Sequence, residues 1–211
     1  MTHGFDKDYW ESHWQDARER GAGPEIPPNP YLADETGSLV PGTALDAGCG
    51  EGSEALWLAA QGWQVSGADI SSEALLRASE RAAEAGLSDR LRWIEADLST
   101  WQPDTRFDLV TTHYAHPAMA QLAFYERISD WVAPGGTLLI VGHLHSPDTS
   151  QDHGHGHPPE EASVTAASIT ASLDPALWDV VTAAEQARSL SDRAGGAVQL
   201  HDVVVRATRR T

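Results

Sequence analysis

A short glycine-rich segment restricts the fold of this chain more than any other feature. The residues LDAGCGEGS at 45–53 follow a run that is typical of a buried β-strand and precede a run with helical spacing. Gly48, Gly50 and Gly52 provide the backbone freedom that a tight strand-to-helix turn needs, and they leave room for a ligand close to the main chain. Residues 43–61 therefore predict a βα unit with a ligand against its turn.

The βα pattern recurs along the chain. Five strands are predicted at TALDAG, WQVSGADI, LRWIEADL, FDLVTTHY and GTLLIVGH, with helices at 53–61, 72–85 and 118–132. A further helix at 164–173 is followed by LWDVVTAAE and AVQLHDVVVRAT, which are typical of an antiparallel hairpin. The prediction is a three-layer α/β fold, in which a seven-stranded, mostly parallel sheet ends in this C-terminal hairpin and carries an N-terminal helical cap.

The length of 211 residues predicts a single domain. Near its start, Trp10 and Trp14 share one face of an amphipathic helix. After the fifth strand comes a stretch rich in histidine that lacks apolar periodicity, which favours a long loop acting as a lid. Within the domain 1–211 we therefore expect a cap at 1–40, a ligand-binding core at 41–145, the lid at 146–163 and the completion of the sheet at 164–211.

Composition excludes several classes of function. The chain has 14 Lys and Arg against 31 Asp and Glu, a net charge of -17, which would repel nucleic-acid phosphates and anionic membranes. We expect a small-molecule substrate and no nucleic-acid or membrane partner. The single cysteine, Cys49, cannot form an intramolecular disulfide, and no signal-peptide pattern is present. A cytoplasmic location is expected, with the choice between monomer and homodimer open.

The glycine loop departs from the dinucleotide-binding pattern. That pattern is G-x-G-x-x-G/A, whereas Ser53 occupies the third position here. Asp46 and Glu51 also place carboxylates at the loop, where they would repel a pyrophosphate and attract a ligand with cationic groups. A zwitterionic ligand with an additional positive charge therefore suits this loop better than a dinucleotide.

Two more carboxylates follow the next strands. Asp69 ends the second predicted strand and could accept hydrogen bonds from both hydroxyls of a ribose. Asp97 ends the third and could accept from an exocyclic amino group of adenine. Because the carboxyl ends of parallel strands meet at one edge of a sheet, Asp69 and Asp97 predict an adenosine pocket beside the glycine loop.

The segments LDAGCGEGS, VSGADIS, WIEADLSTW, FDLVTTHY and APGGTLLIV resemble, in order and spacing, the class I Rossmann-like S-adenosylmethionine-dependent methyltransferases. The start YWESHW is similar to the small bacterial tellurite-resistance and thiopurine-type members. The resemblance implies S-adenosylmethionine as cofactor, with S-adenosylhomocysteine as product. It also implies a set of cofactor contacts: Asp46, Gly48, Cys49 and Gly50 at the methionine portion, Asp69 at the ribose, Ile70, Asp97 and Leu98 at the adenine, and His113 beside the sulfonium.

The expected function is transfer of a methyl group to a small acceptor through an S, Se/Te, O or N nucleophile. The alternatives are a non-catalytic protein that binds S-adenosylmethionine or a metal, and an NAD-dependent oxidoreductase. His113 and His116 are the predicted catalytic residues, because a hydroxyl or protonated nitrogen acceptor needs a base and histidine titrates near neutral pH. No metal site is predicted. A role in metal or substrate binding stays open for the histidines at the end of the fifth strand and in the loop after it, His143, His145, His153, His155 and His157.

Overall fold

The computed structural model describes residues 5–19, 27–144, 164–191 and 197–211. The predicted lid at 146–163 lies outside the described residues, together with His145, His153, His155 and His157. No helix among the described residues has the length and apolar character that a membrane span requires.

Seven strands form one sheet in the order β3-β2-β1-β4-β5-β7-β6. The first five strands pair parallel with one another, and β7 pairs antiparallel with both β5 and β6. This confirms the predicted fold class, including the C-terminal hairpin. The strands are β1 (Thr43–Ala47), β2 (Gln64–Asp69), β3 (Leu91–Glu95), β4 (Phe107–His113), β5 (Val132–His143), β6 (Trp178–Ser191) and β7 (Ala197–Arg209).

Helices cover the sheet, and the largest difference from the predicted helical ranges is in the helix before the fifth strand. The helix predicted over 118–132 is shorter, because Val132 pairs with Phe107 in the sheet and is fully buried there. The chain therefore changes from helix to strand before Pro134. The helices are α1 (Lys7–Glu19), α2 (Pro30–Thr36), α3 (Ser53–Ala60), α4 (Ser72–Glu84), α5 (Gln121–Ser129) and α6 (Ala166–Ser172), with a short 3₁₀ turn at Ser88–Arg90.

Apolar side chains alternate between the two faces of the sheet. Leu45 and Val110 belong to a core cluster on one face, and their neighbours Ala44 and Leu109 belong to a second cluster on the other. All four side chains are fully buried. Both faces of the sheet therefore carry an apolar core, and the edge where the parallel strands end is the expected place for a ligand.

The N-terminal helix α1 is attached to this edge through Glu11. Its carboxylate accepts hydrogen bonds from the Ser71 hydroxyl at 2.9 Å, from the Ser72 amide at 2.9 Å and from the Ser72 hydroxyl at 2.8 Å. These contacts supply an acceptor at the N-terminus of α4, where backbone amides have no helical partner. The helix α1 is thereby held as a cap over the carboxyl ends of β1 and β2.

Candidate functional site

A cavity of about 740 Å³ lies at the carboxyl ends of the parallel strands. Its walls come from the loops after β1 to β4, from the cap and from β6. This is where ligands bind in open α/β sheets, and the volume is typical of a small-molecule site. Nine of the ten predicted site residues line it: Gly48, Cys49, Gly50, Asp69, Ile70, Asp97, Leu98, His113 and His116.

The glycine loop is shaped by the protein's own packing. Gly48 has a φ of 80°, and a Cβ there would lie 2.3 Å from the Cβ of Ala115. At Gly50, with a φ of 50°, a Cβ would lie 3.0 Å from Cζ2 of Trp14. Both positions therefore need glycine for conformation and for space, and Trp14 of the cap rests directly on the loop.

Asp69 is held rigidly at the end of β2. Its Oδ2 accepts from the Gly50 amide at 2.8 Å, and its Oδ1 accepts from the Ser71 amide at 2.9 Å. Burial raises the pKa of Asp69 above its usual value, while the amides of Ser71 and Gly50 oppose that rise. Each carboxylate oxygen can accept a further hydrogen bond, so a ligand hydroxyl can still bind.

Beyond the end of β3, the cavity combines one carboxylate with apolar walls. Asp97 Oδ1 accepts from the amide of Ser99 at 2.9 Å and from its hydroxyl at 2.6 Å, which stabilises the turn after β3. Ile70 and Leu98 line the cavity beside it, and Leu98 is buried. A flat apolar ring with a polar edge matches this end of the cavity.

Asp46 and Cys49 are both buried beside the glycine loop. Asp46 lies behind the loop rather than on the cavity wall, and its Oδ2 has no hydrogen-bond partner among the described residues. Burial, followed by the charges of Glu54 and Asp69, raises the pKa of Asp46 well above its usual value. Burial likewise raises the pKa of the Cys49 thiol, which favours a packing role over that of a nucleophile.

His113 and His116 both lie on the cavity wall, with Nε2 atoms that are buried and have no partner among the described residues. His116 Nδ1 lies 3.2 Å from Gln121 Oε1, while Gln121 Nε2 donates to the carbonyl of Ala115 at 2.9 Å. This amide orientation assigns the proton of His116 to Nδ1, which leaves a lone pair on Nε2. Burial lowers the pKa of both histidines, so both are neutral at pH 7.

Sequence reasoning missed a polar cluster beside the histidines. Asp202 is fully buried on β7 and accepts from the Tyr114 hydroxyl at 2.9 Å and from Arg188 Nε at 2.5 Å. The Tyr114 oxygen also accepts from Arg188 Nη2 at 3.0 Å and from Asn29 Nδ2 at 3.1 Å. Tyr114 has a φ of 55°, a left-handed conformation that is uncommon for a large residue and costs energy. The sequence signal that could have indicated this cluster is Asp202, a charged residue directly before the apolar run at 203–205.

Glu54 is a second residue that the sequence did not single out. It lies in the first turn of α3, lines the cavity, and accepts from the Asn29 amide at 3.0 Å. This contact ties the segment before α2 to the glycine loop.

Among the described residues, no group of three or more His, Cys, Asp and Glu side chains is arranged to hold a metal ion. His143 lies with its ring centroid 4.4 Å from that of Tyr114 and 5.7 Å from that of His116. It therefore contributes to an aromatic cluster in the part of the site that the structure describes.

The described residues fit S-adenosylmethionine chemically. Asp69 offers a fixed acceptor for hydroxyls, and Ile70 and Leu98 offer apolar surface for a base. The buried Asp46 carboxylate, whose Oδ2 lacks a partner within the described ranges, suits a cationic amino group close by.

Comparison with known proteins gives the same identification. Residues 44–136 match a family model described as a methyltransferase domain. A probable thiol methyltransferase of Arabidopsis thaliana is 31% identical over 163 residues, which cover 74% of this chain and 68% of that protein. A thiocyanate methyltransferase of Brassica oleracea is 28% identical over 190 residues, covering 88% of this chain and 80% of that protein.

Solved structures show the same fold. The magnesium protoporphyrin IX methyltransferase of Synechocystis, solved with bound S-adenosylmethionine, aligns with a TM-score of 0.65 at 18% identity and covers 100% of both chains. The family match spans the glycine loop and the ends of the first four strands, which build most of the cavity. The chain therefore belongs to the class I S-adenosylmethionine-dependent methyltransferases.

Proposed function

We propose that the chain methylates the sulfur atom of a small nucleophile, either a thiol or an anion of the thiocyanate type. Methylation of a small acceptor follows from the family, and the choice of sulfur is our proposal. The observation that carries it is the histidine end of the cavity. There, Phe5, Trp10 and the ring of His116 form walls around a neutral Nε2 that has no hydrogen-bond partner in the part of the chain that the structure describes. Relatives named as thiol and thiocyanate methyltransferases support the same choice.

The residues around the glycine loop would hold the cofactor. Asp69 would accept from the ribose hydroxyls, and Asp97 with Ile70 and Leu98 would hold the adenine. The methionine portion would lie against Gly48, Cys49 and Gly50, with the Asp46 carboxylate close behind. When bound, S-adenosylmethionine supplies an electrophilic methyl group on a sulfonium and leaves as S-adenosylhomocysteine. The chain's contribution is to align the acceptor with that group, which by itself can lower a barrier by up to about 7–11 kcal/mol.

His116 is the proposed general base. Its Nε2 lone pair is available because Nδ1 carries the proton and donates to Gln121. A thiol has a pKa of about 8.5 and is mostly protonated at pH 7, so it gains reactivity when Nε2 takes its proton. His113, whose Nδ1 lies 3.4 Å from the Thr111 hydroxyl, would border the reacting methyl group and shape the acceptor pocket.

Thiols and thiocyanate make different demands on His116, which gives a sharp test. Thiocyanate carries no proton to remove. We expect His116→Gln to lower kcat/KM for 2-mercaptoethanol about 10- to 100-fold and to change kcat/KM for thiocyanate less than about 3-fold. The matched control is His13→Gln, because His13 is exposed on α1 and does not line the cavity. An equal loss of kcat/KM with both acceptors would contradict the role of His116 as general base.

Cofactor binding is tested by isothermal titration with S-adenosylmethionine, S-adenosylhomocysteine and NAD. We expect the first two to bind and NAD not to bind. In Asp69→Asn one carboxylate oxygen becomes an NH₂ group that faces a backbone amide donor, so affinity should fall about 100-fold. The exposed Asp34→Asn is the control, with unchanged affinity. Binding of NAD in preference to S-adenosylhomocysteine would overturn the assignment of the loop.

We also propose a cytoplasmic protein whose substrates are small molecules rather than nucleic acids or membranes. The net charge of -17 supports this, since it repels polyanions. The buried, unpaired Cys49 is compatible with a reducing compartment.

A further inference from the structure

The C-terminal hairpin places one cation in the cavity. Strands β6 and β7 are longer than the parallel strands, and their pairing continues past the end of β5, where His143 pairs with Asp202. Arg188 lies on this extension of the hairpin and lines the cavity. Because β6 is the far strand in the sheet order from β3, Arg188 enters from the side opposite to Asp97.

Arg188 is held in a defined orientation. Its Nε donates to Asp202 at 2.5 Å, and its Nη2 donates to the Tyr114 oxygen at 3.0 Å. Asp202 lies on the neighbouring strand, diagonal to Arg188, and is fully buried. Among the described residues, nothing accepts a hydrogen bond from Nη1, and the Arg188 side chain keeps 22% of its surface exposed. A fixed guanidinium with a free edge is a typical binding group for an anion.

The charges around the cavity suggest what the free edge of the Arg188 guanidinium binds. Arg188 is the only Lys or Arg among the described residues that line the cavity, whereas Glu51, Glu54, Asp69 and Asp97 all line it. An anionic acceptor would be repelled by these carboxylates, and the two cavity histidines are neutral at pH 7. Arg188 therefore supplies the one formal positive charge in the described lining that can attract an anion.

We propose that Arg188 binds the negative charge of the acceptor and so selects anionic sulfur nucleophiles, with Asp202 and Tyr114 as the residues that position its guanidinium. The selected acceptors are small sulfur anions of the thiocyanate type, in which the reacting atom shares the charge. This inference rests on the proposed sulfur acceptor, and binding measurements without turnover separate the two.

The experiment titrates thiocyanate into the protein loaded with S-adenosylhomocysteine, so that no methyl transfer occurs. We expect Arg188→Gln to weaken thiocyanate binding about 10- to 100-fold and Arg188→Lys to weaken it less. In turnover, Arg188→Gln should raise KM for thiocyanate with little change in kcat, because the contact is made in the ground state. The matched control is Arg206→Gln, since Arg206 lies on the same hairpin, pairs with Glu35 and does not line the cavity.

Unchanged thiocyanate affinity in Arg188→Gln would overturn the inference, and the sulfur acceptor would stand if turnover persists. If the wild type methylates no sulfur acceptor but binds thiocyanate through Arg188, the proposed function fails and the anion site stands. If Arg188→Gln weakens the binding of 3-mercaptopropionate but not that of thiocyanate or 2-mercaptoethanol, then Arg188 binds a remote carboxylate. This result also overturns the inference. If Arg188→Gln loses S-adenosylhomocysteine binding, the variant Arg188→Gln with Asp202→Asn removes both charges and repeats the test.

Discussion

At the cavity end next to β1, β2 and β3, polar groups are held by the main chain, whereas at the end next to β4–β7 they are held by other side chains. Asp69 is fixed by the amides of Gly50 and Ser71, residues that belong to the turns after β1 and β2. Arg188 is fixed by Asp202, which lies on β7, and by Tyr114, which lies in the loop after β4. A site built from local turns tolerates change in distant segments, while a site built from side-chain pairs can change its specificity through single substitutions.

Gly48→Ala should produce the largest effect at the end held by the main chain. The new Cβ adds the cost of a left-handed conformation and a contact of 2.3 Å with the Ala115 Cβ, which neither side chain can avoid by rotation. We expect affinity for S-adenosylhomocysteine, measured by titration calorimetry, to fall at least about 100-fold as the loop is displaced.

Gly86→Ala is the matched control for that substitution. Gly86 also has a positive φ, 68°, but a Cβ there meets no atom within 4 Å. It should cost only the backbone term, about 1 kcal/mol in the free energy of unfolding, and leave the affinity unchanged. Equal affinities in the two variants would show that the loop relaxes around the contact with Ala115.

Tyr114→Phe tests the end held by side chains. The hydroxyl donates to Asp202 and accepts from Arg188 and Asn29, so its removal leaves three polar groups each short of a partner. We expect a loss of about 2 kcal/mol in the free energy of unfolding, measured by denaturant titration, and a raised KM for thiocyanate with unchanged S-adenosylhomocysteine affinity. Tyr9→Phe on the exposed face of α1 should change stability by less than about 0.5 kcal/mol. A loss of cofactor affinity in Tyr114→Phe would mean that the two ends of the cavity are coupled.

The contrast between groups held by the main chain and groups held by other side chains also explains what could be predicted from the sequence. The seven strands, the glycine loop and the carboxylates after β2 and β3 all follow from local patterns, because each depends on a few consecutive residues. Arg188 and Asp202 become neighbours only through the register of β6 and β7, in which Gln186 lies opposite Asp202. Tyr114 acquires its role from a left-handed φ at the end of β4, which no propensity of tyrosine indicates. The contact between Trp14 and Gly50 likewise depends on how α1 docks.

Asp46→Asn should give the smallest effect. A paired carboxylate usually has a lowered pKa in the folded state, whereas the pKa of Asp46 is raised, so the dependence of stability on pH has the opposite sign. Burial, followed by the charges of Glu54 and Asp69, raises the pKa of Asp46 in the folded state. Below about pH 3 the carboxyl is protonated in both states. As the pH rises from there towards the raised pKa, the unfolded chain ionises first, so the native protein loses stability over that window.

The Asn side chain removes this loss, because it stays neutral at every pH. Asp46→Asn should therefore be more stable than the wild type at pH 7, and this gain should shrink as the pH falls towards and below about 3.9, in denaturant titrations without ligand. The control variant is Asp34→Asn, because the Asp34 side chain is exposed. The variant should also bind S-adenosylhomocysteine about 10-fold more weakly, because the carboxylate behind the loop is the group proposed to attract the ligand's amino group. A difference in the free energy of unfolding that is constant from pH 4 to pH 7 would mean that a neighbouring group neutralises the charge of Asp46. The difference in stability would then come from the main-chain turn rather than from the buried charge.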